Sequence, residues 1–145
     1  MQIREATNED LKEAAESSVS RGLKENPASI DHVYCLEHGG KVLAVGGLKM
    51  MNCTTAWCWM NWTQAALENQ IATFRIVREW LDKLVELYGL RRLMAAVEVD
   101  FPNAVRTIEH LGFTRECVMP CWDGDKSAYL YARVVECRFE ERTHG

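Results

Sequence analysis

The chain has 145 residues and a formal net charge of −4, and 48% of its residues are apolar. This length predicts one domain, and this apolar fraction excludes a disordered chain. The acidic balance argues against nucleic acid or an anionic membrane as a partner, because proteins that bind them through bulk charge carry a basic excess. The sequence has no run of 18 apolar residues that would predict a membrane-spanning helix. Its first residues lack the pattern of a signal peptide, so we expect a cytoplasmic location.

The six cysteines predict free thiols and no bound metal. They are Cys35, Cys53, Cys58, Cys117, Cys121 and Cys137. A cytoplasmic protein keeps its thiols reduced. Four residues separate Cys53 from Cys58, and three separate Cys117 from Cys121. These spacings lack the tight knuckle pattern of zinc ribbons, so we expect buried small side chains here instead of metal ligands.

The first third of the chain predicts a strand, a helix and a β-hairpin. Residues 3–6 are typical of a short strand. Thr7 and Asp10 have the spacing of a reciprocal helix cap, with Asp in place of the usual Glu, so we expect a helix to begin here. Residues 33–37 and 41–51 predict two antiparallel strands that are joined by a glycine-containing turn.

Two features mark the centre of the predicted sheet. Gly46-Gly47 lies inside a predicted strand and indicates a bulge or a close approach of two backbones. Residues 56–62 are apolar on both faces, which is typical of a strand that is covered on both sides. We therefore expect a central strand here, with Trp57, Trp59 and Trp62 in the core.

The second half of the chain predicts alternating helices and strands. Apolar residues recur at helical spacing up to a stop at Gly89, and residues 64–88 are compatible with one helix of about 25 residues. Further elements are predicted as a strand at 90–99, a short helix at 104–111, and strands at 113–122 and 127–137. A polar tail at 140–145 leaves residues 1–139 as a single domain. This order predicts a mixed α/β (α+β) architecture, with a central sheet of six to seven strands and helices on both faces.

Three stretches of the sequence resemble one family. The opening Ile3-Arg4-Glu5-Ala6-Thr7-Asn8-Glu9-Asp10-Leu11 is similar to an "IRxATxxDL" start. Tyr88-Gly89-Leu90-Arg91-Arg92-Leu93 is similar to the end of an acyl-CoA-binding helix and the strand after it. Asn103-Ala104-Val105-Arg106-Thr107-Ile108-Glu109-His110-Leu111-Gly112-Phe113 carries an "xxxLGF" ending. Together they resemble the GCN5-related N-acetyltransferase (GNAT) superfamily. The tryptophan-rich central strand is also similar to small phage-encoded GNAT-like proteins, which would place the chain in the bacterial host cytoplasm or in a virion.

The resemblance implies a site for acetyl-CoA. The family's pyrophosphate loop, R/Q-x-x-G-x-G/A, falls on residues 69–74, where Ala72 and Phe74 stand at the glycine positions. The central strand of the family pairs with the pantetheine arm at its end. The implied cofactor-binding residues are Trp62, Thr63, Gln64, Asn69, Gln70, Ala72 and Thr73. The same segment is also compatible with a plain amphipathic helix in which Phe74 fills the cleft.

The resemblance also implies positions for the catalytic groups. The family's tyrosine acid falls on Ile108, which cannot donate a proton, and its asparagine falls on Phe101. Glu98 and Asp100 lie two residues apart at the end of a predicted strand, on one face, where open α/β sheets bind ligands. They are the candidate bases, and a solvated pair at a strand end is the alternative.

Two functions remain open from the sequence. The first is transfer of an acetyl group from acetyl-CoA to an amine by direct attack. The second is a catalytically degenerate GNAT-fold protein that acts by binding a protein partner, as a phage virion component or a modulator of a host enzyme. An exposed Trp122 beside a turn is a candidate partner contact, and a homodimer is a candidate assembly.

Overall fold

The computed structural model of the chain describes residues 1–17 and 32–135. Within these residues, seven strands form one sheet: β1 (Gln2–Glu5), β2 (His32–His38), β3 (Lys41–Met50), β4 (Thr55–Trp62), β5 (Arg92–Glu98), β6 (Thr114–Asp123) and β7 (Lys126–Val134). The helices in these ranges are α1 (Asn8–Ser17), α2 (Gln64–Glu68), α3 (Gln70–Leu87) and α4 (Pro102–His110). Cys137 and the predicted tail at 140–145 lie outside the described residues.

The sheet is mixed, and its strands lie in the order β1-β2-β3-β4-β5-β7-β6. All neighbouring strands run antiparallel except β4 and β5, which run parallel. Helix α1 packs on one face, against Cys35, Val42 and Val45. Helices α3 and α4 pack on the opposite face. The predicted mixed sheet of six to seven strands with helices on both faces is therefore confirmed, and we refer to its two sides as the α1 face and the α3/α4 face.

The predicted cap at the start of α1 is present. The Thr7 N–H donates to Asp10 Oδ2 at 2.7 Å, and the Asp10 N–H donates to Thr7 Oγ1 at 3.2 Å. Arg4 donates two further hydrogen bonds to the Asp10 carboxylate, at 2.6 and 3.0 Å, and one to Glu37 at 3.0 Å. The Arg4 guanidinium holds the pKa of Asp10 well below its usual range, and burial opposes it only in part. This cluster ties β1, β2 and α1 together.

The double glycine in β3 marks a close approach of two backbones. A Cβ atom on Gly46 would lie 2.9 Å from the carbonyl oxygen of Trp59 on the neighbouring strand β4. This confirms the second of the two readings of Gly46-Gly47. The irregularity in the β2–β3 register lies elsewhere, between Leu36 and Glu37.

The long helix that the apolar spacing allowed is interrupted, so that prediction was wrong. Helix α2 ends at Glu68 and α3 begins at Gln70, with Asn69 between them at φ −123° and ψ 37°. The Asn69 side-chain amide donates to the carbonyl oxygen of Ala65 at 3.0 Å. Asparagine bonds to nearby backbone groups in this way and so favours a helix end over a helix interior. The break gives the second helix an N-terminus of its own.

Candidate functional site: a cavity between two parting strands

The sheet opens between its two parallel strands. The pairing of β4 with β5 covers only Thr55 to Trp57 on one strand and Arg92 to Met94 on the other. Beyond these pairs, β4 stays bonded to β3 and β5 stays bonded to β7 up to Glu98. A cavity of about 270 Å³ occupies the gap. The parting of the strands therefore creates a space at their carboxyl ends, where open sheets bind ligands.

The cavity reaches both faces of the sheet. Successive residues of a strand point to opposite faces. Four successive residues of β5 line the cavity: Ala95, Ala96, Val97 and Glu98. The cavity therefore extends through the thickness of the sheet, so two molecules that approach from opposite sides could meet inside it.

On the α3/α4 face, the cavity borders the N-terminus of α3. In an α-helix the first N–H groups have no partner within the helix. In α3 these belong to Gln70, Ile71 and Ala72, which are all exposed, with Ile71 at 79%. The N-cap residue Asn69 makes no side-chain cap, and its amide nitrogen donates to the carbonyl oxygen of Ala65. Gln70 lines the cavity. An uncapped helix N-terminus is suited to bind an anion such as a phosphate.

Phe74 forms part of the cavity wall and leaves the cavity open. Its ring lies 5.2 Å from that of Trp62 and 5.9 Å, edge on, from that of His110, measured between centroids. Both Phe74 and Trp62 line the cavity. The alternative in which this stretch is closed helix with Phe74 filling the cleft is therefore not what the structure has.

The implied cofactor-binding residues have different surroundings. Trp62 and Gln70 line the cavity, whereas Gln64 is exposed at the start of α2. Thr63 is buried, and its hydroxyl donates to the carbonyl oxygens of Val42 and Leu43 at 2.8 and 3.0 Å. That hydroxyl anchors the end of β4 to β3.

Two further candidates lie in the first turn of α3. Ala72 is exposed, and Thr73 is fully buried with a hydroxyl that has no hydrogen-bond partner. The Thr73 N–H already donates to the carbonyl oxygen of Asn69 at 2.9 Å. The first-turn amides that remain for a ligand are thus those of the three preceding residues.

The hydrogen bonds between β3 and β4 determine which backbone groups of β4 face the gap. The Thr63 N–H donates to the carbonyl oxygen of Leu43 on β3 at 2.9 Å. In an antiparallel pair, the backbone groups of successive residues point alternately to the two sides of the strand. The N–H and C=O of Met60 therefore face β5, beyond the point where the pairing of β4 with β5 ends.

Glu98 and Asp100 lie in different elements of the structure and have different surroundings. Strand β5 ends at Glu98, and Asp100 lies in the turn that follows. Glu98 lines the cavity, and its Oε2 atom is buried without a hydrogen-bond partner. Asp100 is exposed and is not among the lining residues. The expectation that the two carboxylates share one strand face fails because the strand stops between them.

Apolar residues stand where the family resemblance places an asparagine and a tyrosine. Phe101 and Ile108 both line the cavity, and no tyrosine does so among the described residues. Glu98 is the one carboxylate among the lining residues. A carboxylate that takes a proton in this cavity would therefore be Glu98.

The tryptophans of β4 are only partly core residues. Trp62 is 8% exposed, as expected, but Trp57 and Trp59 are half-buried and line the cavity. The ring of Trp122, which is 39% exposed, lies 5.8 Å from that of Trp57. No local pattern predicts this contact, because the two residues are distant in the chain and their strands are separated by β5 and β7.

Three other features can be stated for the described residues. They contain no group of three or more His, Cys, Asp or Glu side chains that could hold a metal ion. No disulfide joins the five cysteines among them, but Cys53, Cys117 and Cys121 are exposed, so the expectation of buried side chains was wrong for these three. Within the described ranges, no helix is both long enough and apolar enough to cross a membrane.

The architecture of the chain is the fold of the GNAT N-acetyltransferases. The spermidine N-acetyltransferase SpeG of Vibrio cholerae, as its F149A mutant, superposes with a TM-score of 0.74 at 14% identity, over 92% of this chain and 95% of that one. A chimera of the same enzyme with hSSAT gives 0.71 at 15% identity, over 92% and 96%. The ribosomal-protein-S18-alanine N-acetyltransferase of Escherichia coli gives 0.68 at 18% identity, over 94% of each chain.

The sequence itself carries less of this likeness than the fold does. Neither a protein-family model nor the sequence of a curated protein matches the chain. The structural neighbours confirm the predicted resemblance at the level of the fold. They give no support to the narrower resemblance to phage-encoded proteins.

Proposed function

We propose that the chain is an N-acetyltransferase that transfers an acetyl group from acetyl-CoA to an amine by direct attack within the cavity. The observation that carries the proposal is the cavity between β4 and β5, which reaches both faces of the sheet and contains one carboxylate oxygen without a partner. The acetyltransferase descriptions of the structural neighbours support the same reaction class.

The α3/α4 face would hold acetyl-CoA. The uncapped first turn of α3 offers the N–H groups of Gln70, Ile71 and Ala72 to the pyrophosphate. The backbone of Met60 faces the gap and would pair with the pantetheine amides, as an added strand does at a sheet edge. Trp62 and Phe74 supply the apolar wall beside it. The residues present therefore fit the donor without the family's glycines.

The acceptor would enter from the α1 face. Leu93, Ala95 and Val97 belong to the core on the α3/α4 face, so Glu98 points to the α1 face by alternation. The amine would meet Glu98 there, within the same cavity as the thioester carbonyl. The two substrates would thus come together in one ternary complex.

Glu98 would act as the general base of the reaction. The amine nitrogen attacks the thioester carbonyl carbon, and Glu98 accepts the proton that the nitrogen loses. The carbon–sulfur bond breaks, the sulfur leaves with the electron pair, and it takes a proton from solvent because no tyrosine among the described residues lines the cavity. A thiol has a pKa of roughly 8.5, so a thiolate is a tolerable leaving group without an acid.

The experiment compares Glu98→Gln with Asp100→Asn as its matched control. Glutamine keeps the size of Glu98 but cannot accept a proton, so we expect the turnover number to fall by roughly 10²–10⁴-fold. Asp100 is exposed outside the cavity, so its variant should stay within about twofold of the unchanged protein. The assay follows release of the free CoA thiol with a panel of primary amines.

Donor binding is measured separately by titration calorimetry and thermal melting. A ligand at 100 times its Kd stabilises the folded state by about 2.7 kcal/mol, and Glu98→Gln should keep this effect. A protein that shows neither heat nor a melting shift with millimolar acetyl-CoA is not an acetyltransferase of this kind. The binding function that the sequence left open would then be the one to pursue.

A further inference from the structure

We infer that the acceptor carries a second cationic centre, besides the amine that is acetylated, and that the rings of Trp57 and Trp122 hold it. This inference takes the reaction from the proposed function. The binding site for the second cation is argued from a different part of the cavity. The relevant part is the α1 face, where the two indoles meet.

The position of the indole pair follows from strand alternation and from the course of β6. Trp59 packs against the cluster beneath α1, so Trp57, two residues earlier on β4, lies on the same face. The register of β6 against β7 is irregular between Met119 and Asp123. Cys121, in this irregular segment, has a φ of 52°. The ring of Trp122 thereby reaches Trp57 across two intervening strands.

The geometry of the pair suits a cation that lies over the rings. The centroids are 5.8 Å apart and the ring planes are inclined by 35°. Stacked rings with an aromatic guest between them would need about 7 Å, twice the van der Waals contact distance, so a planar guest does not fit between them. An ammonium group within roughly 6 Å of both centroids interacts favourably with each ring. The described residues place no cationic side chain of the protein over either ring.

The charges around the pair favour a cation over a neutral or anionic group. Glu98, on the same face, is the one carboxylate that lines the cavity within residues 1–17 and 32–135. Asp123 and Asp125 are exposed on the hairpin tip beside Trp122, with Lys126 next to them. Lys49 lies opposite Trp57 on β3, so Lys49 and Lys126 together place two positive charges against three carboxylates, and the balance is negative by one charge.

The inferred acceptor is therefore a small organic diamine or a comparable dication. Its first amine would react beside Glu98, and its second ammonium would lie over the indoles. A monoamine of the same chain length has the reacting group but lacks the second charge. Butane-1,4-diamine and n-butylamine thus form a matched pair of substrates that differ in this one feature.

The test measures the ratio of kcat/KM for butane-1,4-diamine to that for n-butylamine. A cation held by two aromatic rings gains roughly tenfold in affinity, so we expect a ratio of about ten in the unchanged protein. Trp122→Leu should reduce the ratio to near one, and Trp122→Phe, which keeps an aromatic face, should restore most of it. Circular dichroism and thermal melting show whether each variant is folded.

A second readout is independent of acetyl transfer. Calorimetric titration with butane-1,4-diamine alone should show binding that Trp122→Leu weakens by about tenfold, and n-butylamine should show the weaker binding in both proteins. Equal binding of the two amines to the unchanged protein, or a preference that survives Trp122→Leu, would overturn the inference. If no amine is acetylated but diamine binding still depends on Trp122, then the proposed reaction fails and the cation site stands.

Discussion

Ala72 offers a sharp test of the donor site, because one substitution there should change stability and ligand affinity in opposite directions. It is the third residue of α3, and its side chain is exposed. Ala72→Glu places a negative charge in the first turn of an 18-residue helix whose N-terminus has no side-chain cap and no acidic residue. Negative charge at this position stabilises a helix by about 0.3–1 kcal/mol. We expect the melting temperature to rise by about 1–3 °C.

The same charge should weaken the binding of acetyl-CoA. A pyrophosphate bound to the first-turn amides would lie roughly 7 Å from the new carboxylate. Two unit charges at that distance repel by about 0.6 kcal/mol at a dielectric constant of 80 and by about 1.2 kcal/mol at 40. The two phosphates together therefore cost about 1–2 kcal/mol, which corresponds to a Kd that is about 5–30 times higher.

The assay is calorimetric titration of acetyl-CoA, together with thermal melting, on a charge series at this position. Ala72→Gln supplies the size of glutamate without its charge and is the matched control, and Ala72→Lys should lower the Kd while it destabilises the helix. Added salt should reduce the differences between the variants. An identical Kd for the glutamate, glutamine and lysine variants would refute the placement of the pyrophosphate at the N-terminus of α3.

Two further predictions concern the framework that positions the cavity. Asp10→Asn should lower the free energy of unfolding by about 1–2 kcal/mol at pH 7, because it removes one of the two charged partners of Arg4. The folded state depresses the pKa of Asp10, so its contribution is fully present above the unfolded pKa of roughly 3.9 and is lost as the pH falls below it. Urea titrations at pH 7, 5 and 3 should show the difference between the two proteins shrink only at pH 3, and a constant difference would contradict this account. Gly46→Ala should cost about 1–3 kcal/mol by the same measurement, because its Cβ would lie 2.9 Å from the carbonyl oxygen of Trp59; an unchanged stability would show that β3 and β4 can separate at this point.

Local sequence signals were sufficient for most of the fold. The reciprocal Thr7–Asp10 cap fixed the start of α1, because both hydrogen bonds are made within one turn. The run of apolar residues at 56–62 indicated a strand buried on both faces, and β4 is the central strand of seven. The periodicity of residues 64–88 missed the break at Asn69, since a side chain that bonds to the backbone leaves the apolar spacing unchanged.

The candidate site was less accessible to sequence reasoning than the fold. The alternation of a strand predicts that the side chains of Glu98 and Asp100 point to the same face. Their surroundings differ because β5 ends at Glu98. The indole pair depends on an irregular hairpin that brings Trp122 across two strands, which no local pattern encodes. Features that arise from where strands end or bend are set by tertiary contacts, and a motif or a period does not report them.

Three apolar residues stand where the family resemblance places a glycine, an asparagine and a tyrosine: Phe74, Phe101 and Ile108. These replacements first suggest a lost active site, but the arrangement of the cavity favours a different explanation. All three side chains line the cavity without closing it, and they add apolar surface to its α3/α4 face. Among the residues that the structure describes, the one carboxylate that lines the cavity lies on the α1 face instead, at Glu98. A reaction divided in this way would take the amine proton on one face of the sheet and release the thiolate on the other. Apolar substitutions on the donor face would then affect only the second of these events, which a thiolate leaving group accomplishes without a protein acid.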